Sequence, residues 1–177
     1  SSYYNFSQRT VGTFLSEVKE KGLSTAFSHR KMWNEMRMSD RDISDVTGAT
    51  YTFLMNGKNP TTQFKALFQK GEKIRLRFVN AAAMTFFDVR IPGLKMSVVA
   101  ADGNHVWPVS IEEFRIGVAE TYDVIVEPKK HQAYAIFAQS IDRSGYALGS
   151  LTPEISMLAT PPPLDPMPIL THTDMGM

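Results

Sequence analysis

The chain has 177 residues, 43% of them hydrophobic, which is enough for one domain with a real core and too few to be read safely as two. Its 19 Lys and Arg are interspersed with 18 Asp and Glu for a formal charge of +1, so no basic stripe offers itself to a polyanion and nucleic acid is not an expected partner. The absence of cysteine removes disulfides, thiolate zinc sites, cysteine nucleophiles and any copper centre that needs a thiolate. No apolar run approaches the roughly 20 residues that span a bilayer, and the opening SSYYNFSQRT has no basic stretch followed by an apolar core.

Residues 1–48 read as a helical addition. Val11, Phe14, Leu15 and Val18 recur at helical spacing, Lys19 to Lys21 sit where cations suit the helix dipole, and Gly22 is the natural stop. A second helical piece starts near Ser24 and takes in Ala26, Phe27, Met32, Trp33 and Met36; between Ser39 and Thr47 the sequence turns polar. Strand chemistry begins at Thr50, with Asn56-Gly57, Pro92-Gly93 and Asp102-Gly103 as turn signals. Ile74, Leu76 and Phe78 alternate with Lys73, Arg75 and Arg77, and Phe87, Val89 and Ile91 alternate with Phe86, Asp88 and Arg90. Phe114, Ile116 and Val118, and then Tyr122, Val124 and Val126, repeat the pattern. No strand–helix–strand alternation occurs, so residues 49–152 are expected to form a mainly antiparallel β-sandwich of short strands. Residues 153–177, dense in proline and methionine, cannot supply a central strand and are read as a linker towards a further domain.

Walker, GxGxxG, HExxH and GxSxG motifs are all absent. His29, His105, His131 and His172 are scattered, none at chelating distance in sequence from another. The chemistry that stands out is methionine, of which there are ten. Thioethers suit Cu(I), and two groups are candidate ligands: His172, Met175 and Met177 in the tail, and Met32, Met36 and Met38 in the helical region, where i, i+4 spacing puts Met32 and Met36 on one face. The competing reading of Met32 and Met36 is gap-filling in a packed helical face, and it is favoured for that cluster. The tail has little core to fill. Asp88, Asp102, Glu120 and Asp123 lie beside turns or on faces expected to be solvated, which suits structural roles. Tyr122 is expected to tie a loop down with its hydroxyl.

Three stretches carry a resemblance: YTFLMNGKNP, LFQKGEKIRLRFVNAAAMTFFDVRIPGLKMSVVAADG and PVSIEEFRIGVAETYDVIVEP. Together they closely resemble the middle, cupredoxin-like domain of the copper-resistance multicopper oxidases of the CopA type. The likeness extends outward to YYNF at the start, and through RSGYALGSL to TDMGM at the end. It implies an all-β, cupredoxin-like Greek-key sandwich with the amino-terminal helical addition. It also implies a periplasmic parent protein in which copper, held by HxH and HCH motifs of the first and third cupredoxin domains, oxidises a small donor such as a phenol or Cu(I) at the expense of dioxygen. Neither motif nor any cysteine occurs here. No catalytic or cofactor-binding residue therefore transfers to this chain, which is expected to be inactive alone and to orient those two domains, its expected partners. The alternative is a module that binds Cu(I) weakly through its methionine clusters. In that family a strand precedes the YYNF segment; without it, an open sheet edge is expected to invite self-association.

Overall fold

The computed structural model describes residues 10–36, 43, 44 and 46–168, with the backbone alone at 32–36. Two helices come first, α1 (Val11–Lys21) and α2 (Leu23–Met36). Thr10 caps α1, its hydroxyl accepting from Thr13 N at 3.2 Å, and Gly22 ends it at φ 85°, a backbone conformation that favours glycine. The helices fold back on each other. Phe14 and Phe27 meet edge to face at 6.5 Å, the Arg30 guanidinium lies over Phe14 at 4.9 Å and donates to Thr10 O, and His29 pairs with Glu17 at 2.7 Å.

Among the described residues nine strands follow: β1 (Phe64–Leu67), β2 (Ile74–Val79), β3 (Phe87–Arg90), β4 (Met96–Ala101), β5 (Asn104–Ile111), β6 (Glu113–Ile116), β7 (Thr121–Val126), β8 (Tyr134–Ser140) and β9 (Tyr146–Thr152). They make a five-stranded sheet in the order β1-β9-β8-β3-β6 and a four-stranded sheet in the order β2-β7-β4-β5. Every pairing is antiparallel except β1 with β9, which run parallel. The alternation in IRLRFV behaves as expected: Ile74, Leu76 and Phe78 turn inward and Arg75, Arg77 and Val79 outward.

The first strand starts at Phe64, later than the expected Thr50. Asn56 and Gly57, at φ 47° and 74°, do make a tight turn, but it is closed only by the Met55–Lys58 bridge. Beyond it Asn59 draws the chain into a side-chain turn, its Oδ1 accepting from Thr61 N and Thr62 N at 3.1 and 2.8 Å.

Between the sheets lies the main core, with Ile91, Met96, Val124, Val126 and Leu151 all 1% exposed or less. A second layer lies outside the five-stranded sheet, where Ala135, Phe137 and Leu148 pack with Ala159. This is why YAIFAQS is buried along its whole length: Ile136 and Ala138 face the inner core, and Ala135, Phe137 and Gln139 face the chain that returns over the sheet. Burying a side chain such as Phe137 contributes about 1.5–3 kcal/mol. Proline-rich as it is, the chain from Ala159 to Asp165 joins no strand and instead lies across this outer face.

At one end of the sandwich two backbones cross at Gly48 and Gly145. A Cβ on Gly48 would stand 2.7 Å from the Gly145 Cα, and Gly48 N donates to Ser144 Oγ at 2.6 Å. Backbone cannot rotate out of the way as a side chain can. Gly48→Ala is therefore expected to destabilise the fold by about 1–3 kcal/mol, read as a lower urea midpoint; an unchanged midpoint would show that the crossing is loose.

Candidate functional site

The ionisable groups that the strands bring together are carboxylates clamped by guanidiniums. On the outer face of the four-stranded sheet Arg77 sits directly opposite Asp123, with Arg75 diagonal to it. Arg77 Nε donates to Asp123 Oδ1 at 2.8 Å and Arg75 Nε to Oδ2 at 3.0 Å. Hydrogen bonding from Arg77 outweighs the opposing effect of burial and, with Arg75, holds the Asp123 carboxyl far below the usual carboxylate range.

The five-stranded sheet has a matching arrangement. Asp88 faces Arg115 across β3 and β6, accepting from its Nε at 2.8 Å, and Arg143 Nη1 reaches the other oxygen at 2.7 Å. Burial pushes this carboxyl up, yet the two guanidiniums win and its pKa falls. Arg143 is placed for this by the turn between β8 and β9, where it adopts φ 58° and its N–H reaches Ser140 O at 2.9 Å. Asp88 and Asp123 were expected on solvated faces. Their alternation with apolar neighbours did put them outside the inner core, but arginines from adjacent strands roof them, leaving them 3% and 4% exposed.

A third clamp fastens the returning chain. Arg90 Nη1 donates to Asp165 Oδ2 at 2.8 Å and to Glu113 Oε2 at 2.8 Å, while Asp165 N donates to Gln139 Oε1 at 3.1 Å and the Gln139 amide donates back to the Asp165 carboxylate. These contacts pull the Asp165 carboxyl down to about 2, with the Arg90 hydrogen bond as the largest cause.

These carboxylates are saturated by arginine and are poorly placed for proton transfer or metal ligation. His29 and His131 are engaged by Glu17 and Glu154, and His105 lies on exposed β5. Among the described residues no three His, Asp or Glu side chains gather where a metal ion could be held. Met32 and Met36 lie one turn apart on α2, whereas Met38, His172, Met175 and Met177 fall outside the described residues. Tyr122 packs on Phe114 at 5.1 Å, and the phenol that holds a loop is that of Tyr134, which accepts from Lys130 N at 3.3 Å.

A cavity of about 710 Å3 opens between the sheets where β1 and β2 end them. Its lining includes Phe53, Phe78, Phe87 and Val89. Arg75 to Val79 all line it, inward and outward residues alike, so it runs along the backbone of β2, whose far side has no strand beside it among the described residues. Sequence reasoning did not locate this groove. The expected open edge was its only signal.

The sequence profile of the multicopper oxidase family matches residues 25–153. Copper resistance protein A of Escherichia coli is 60% identical over all 177 residues, which cover 29% of that protein. Copper resistance protein A of Pseudomonas syringae pv. tomato is 56% identical over the same span, again 29% of its length. The chain thus spans about three-tenths of these curated relatives. Among solved structures, Fet3p, a multicopper oxidase that functions in iron import, superposes with a TM-score of 0.53 at 22% identity over 59% of this chain and 22% of its own. The laccase from Botrytis aclada does so with a TM-score of 0.51 at 26% identity over 60% of this chain and 21% of its own.

The third clamp gives a pH signature. A carboxyl held at about 2 in the fold, against roughly 3.9 when unfolded, contributes stability that is fully present above pH ~4 and is lost as pH falls towards 2. Because Asp165 and Glu113 remain partly wet, the advantage of wild type over Asp165→Asn is expected to be at most about 1 kcal/mol. Urea melts of the two proteins at pH 7, 4 and 2.5 should show the gap narrowing at the lowest pH; a gap undiminished there would deny Asp165 this role.

Proposed function

We propose that this chain, a member of the multicopper oxidase family, is the middle domain of a longer, periplasmic copper-resistance oxidase and serves to orient the copper-bearing domains on either side. The observation that carries the reading is the end-to-end match at 56–60% identity to proteins more than three times as long. Chemistry supports the division of labour. A type 1 copper site requires a thiolate, and this chain has no cysteine; its clustered carboxylates are closed off by arginine. Copper as redox cofactor thus belongs to other parts of the parent polypeptide, and the residues here do not fit it. What this domain supplies is a rigid sandwich, tied on both outer faces by cross-strand ion pairs.

The groove along β2 supports the same reading. Among the described residues β2 has one unpaired edge above an apolar cavity, and such an edge is a place where a strand from elsewhere in the parent completes the sheet. Pairing with a second copy, or with the tail of the same chain, is the substitute open to these 177 residues alone. As a second role, favoured by the identity to proteins named for copper resistance, His172, Met175 and Met177 bind Cu(I) weakly, with Met32, Met36 and Met38 as the lesser site.

Purified and loaded with copper, the chain is expected to oxidise neither phenols nor Cu(I), while the polypeptide extended to the length of its relatives does. Turnover by the 177-residue chain would overturn the proposal. Cu(I) titration of the chain against one ending at Leu170 should show about a tenfold loss of affinity in the shorter chain, in keeping with one lost ligand set. Equal affinities would remove the tail, and loss only on changing Met32, Met36 and Met38 would move the site to α2.

A further inference from the structure

The helical hairpin presents large apolar side chains to solvent. Val11 and Leu15 on α1 are 73% and 63% exposed, and Leu23 and Phe27 on α2 are 63% and 68% exposed. Each pair is spaced i, i+4 and so shares a helical face. At about 100° per residue, Val11 and Leu15 stand roughly 60–100° round α1 from Phe14, and Leu23 and Phe27 roughly 20–60° round α2 from Arg30, in the same rotational sense. In helices folded back on each other that puts all four on one side of the hairpin. The exposure is not a sign of a loose element, because the hairpin has its own fastenings in the Thr10 cap, the Phe14–Phe27 contact and the Glu17–His29 pair. Soluble surfaces rarely gather apolar side chains this way without a partner.

Two further observations say what the partner is. The copper resistance proteins match this chain over its whole length, hairpin included, and continue for more than twice as many residues again. The profile of the multicopper oxidase family begins at residue 25, so Val11, Leu15 and Leu23 lie outside the stretch it matches and Phe27 lies within it. α1 therefore lies in the span matched by the long copper resistance proteins and outside that of the general family profile. We infer that the Val11, Leu15, Leu23 and Phe27 face docks on another domain of the same polypeptide, whose complementary surface is apolar. This rests on the reading of the chain as one domain of a longer protein, and it adds the surface through which the domain is held.

The test compares the 177-residue chain with the polypeptide extended to the length of its relatives, each as wild type and as Leu15→Glu with Leu23→Glu. Both sites are exposed, so the pair of substitutions should leave the melting of the 177-residue chain nearly unchanged. In the longer wild-type polypeptide the α1 amides should exchange with deuterium on the order of tenfold more slowly than in the short chain, and the substitutions should abolish that protection. Equal exchange in the two wild-type polypeptides would overturn the inference. So would concentration-dependent dimerisation of the short chain that the substitutions abolish, which would assign the face to a second copy, or substitution-sensitive flotation with phosphatidylethanolamine–phosphatidylglycerol vesicles, which would assign it to a lipid surface. Oxidase activity of the longer wild type, measured on the same preparation, separates the two readings: active enzyme with unprotected α1 defeats the docking face alone.

Discussion

Strand β8 is covered on both sides, and the rest of the architecture follows from that. Its inner residues meet the four-stranded sheet, while its outer residues need a second cover, which the chain from Ala159 to Asp165 provides. Apolar contact alone would leave the Gln139 amide, which is fully buried, without partners. Asp165 meets that need and is itself neutralised by Arg90, which also binds Glu113 on β6. One cluster thus ties β3, β6, β8 and the returning chain together.

The other ion pairs extend the same logic. Asp88 and Asp123 are buried charges, and removing one partner of such a group is costly because the other is left uncompensated. Each has two guanidiniums, drawn from neighbouring strands or the turn after β8, so each fixes strand register as well as neutralising charge. Sheets pinned in this way cannot slip in register, which suits the orienting role proposed above. The helical hairpin and the β2 edge are different: among the described residues both present surface that no other element covers.

How much of this was legible in the sequence depended on whether the signal was local. Gly22 as a helix stop, the Asn56-Gly57 and Asp102-Gly103 turns and the alternation in IRLRFV were readable because each is set by a few adjacent residues. The family resemblance was carried by the same local wording, which the profile match over residues 25–153 supports. The burial of Asp88 and Asp123 was not readable, since it depends on arginines that are up to 55 residues away in sequence and become neighbours only through strand pairing. The parallel pairing of β1 with β9 and the groove beside β2 were hidden for the same reason. Of the metal ligands expected from sequence, Met32 and Met36 are placed on α2 by backbone alone, and the other four lie outside the described residues.

The proposed place of this chain as one domain between copper-bearing ones is tested most directly by the sequence of the DNA that flanks its coding region. HxH motifs upstream and an HCH motif downstream, in the same reading frame, are the predicted result. Flanks with neither motif, carrying only further methionine-rich repeats, would contradict it and leave a Cu(I)-binding module in its place.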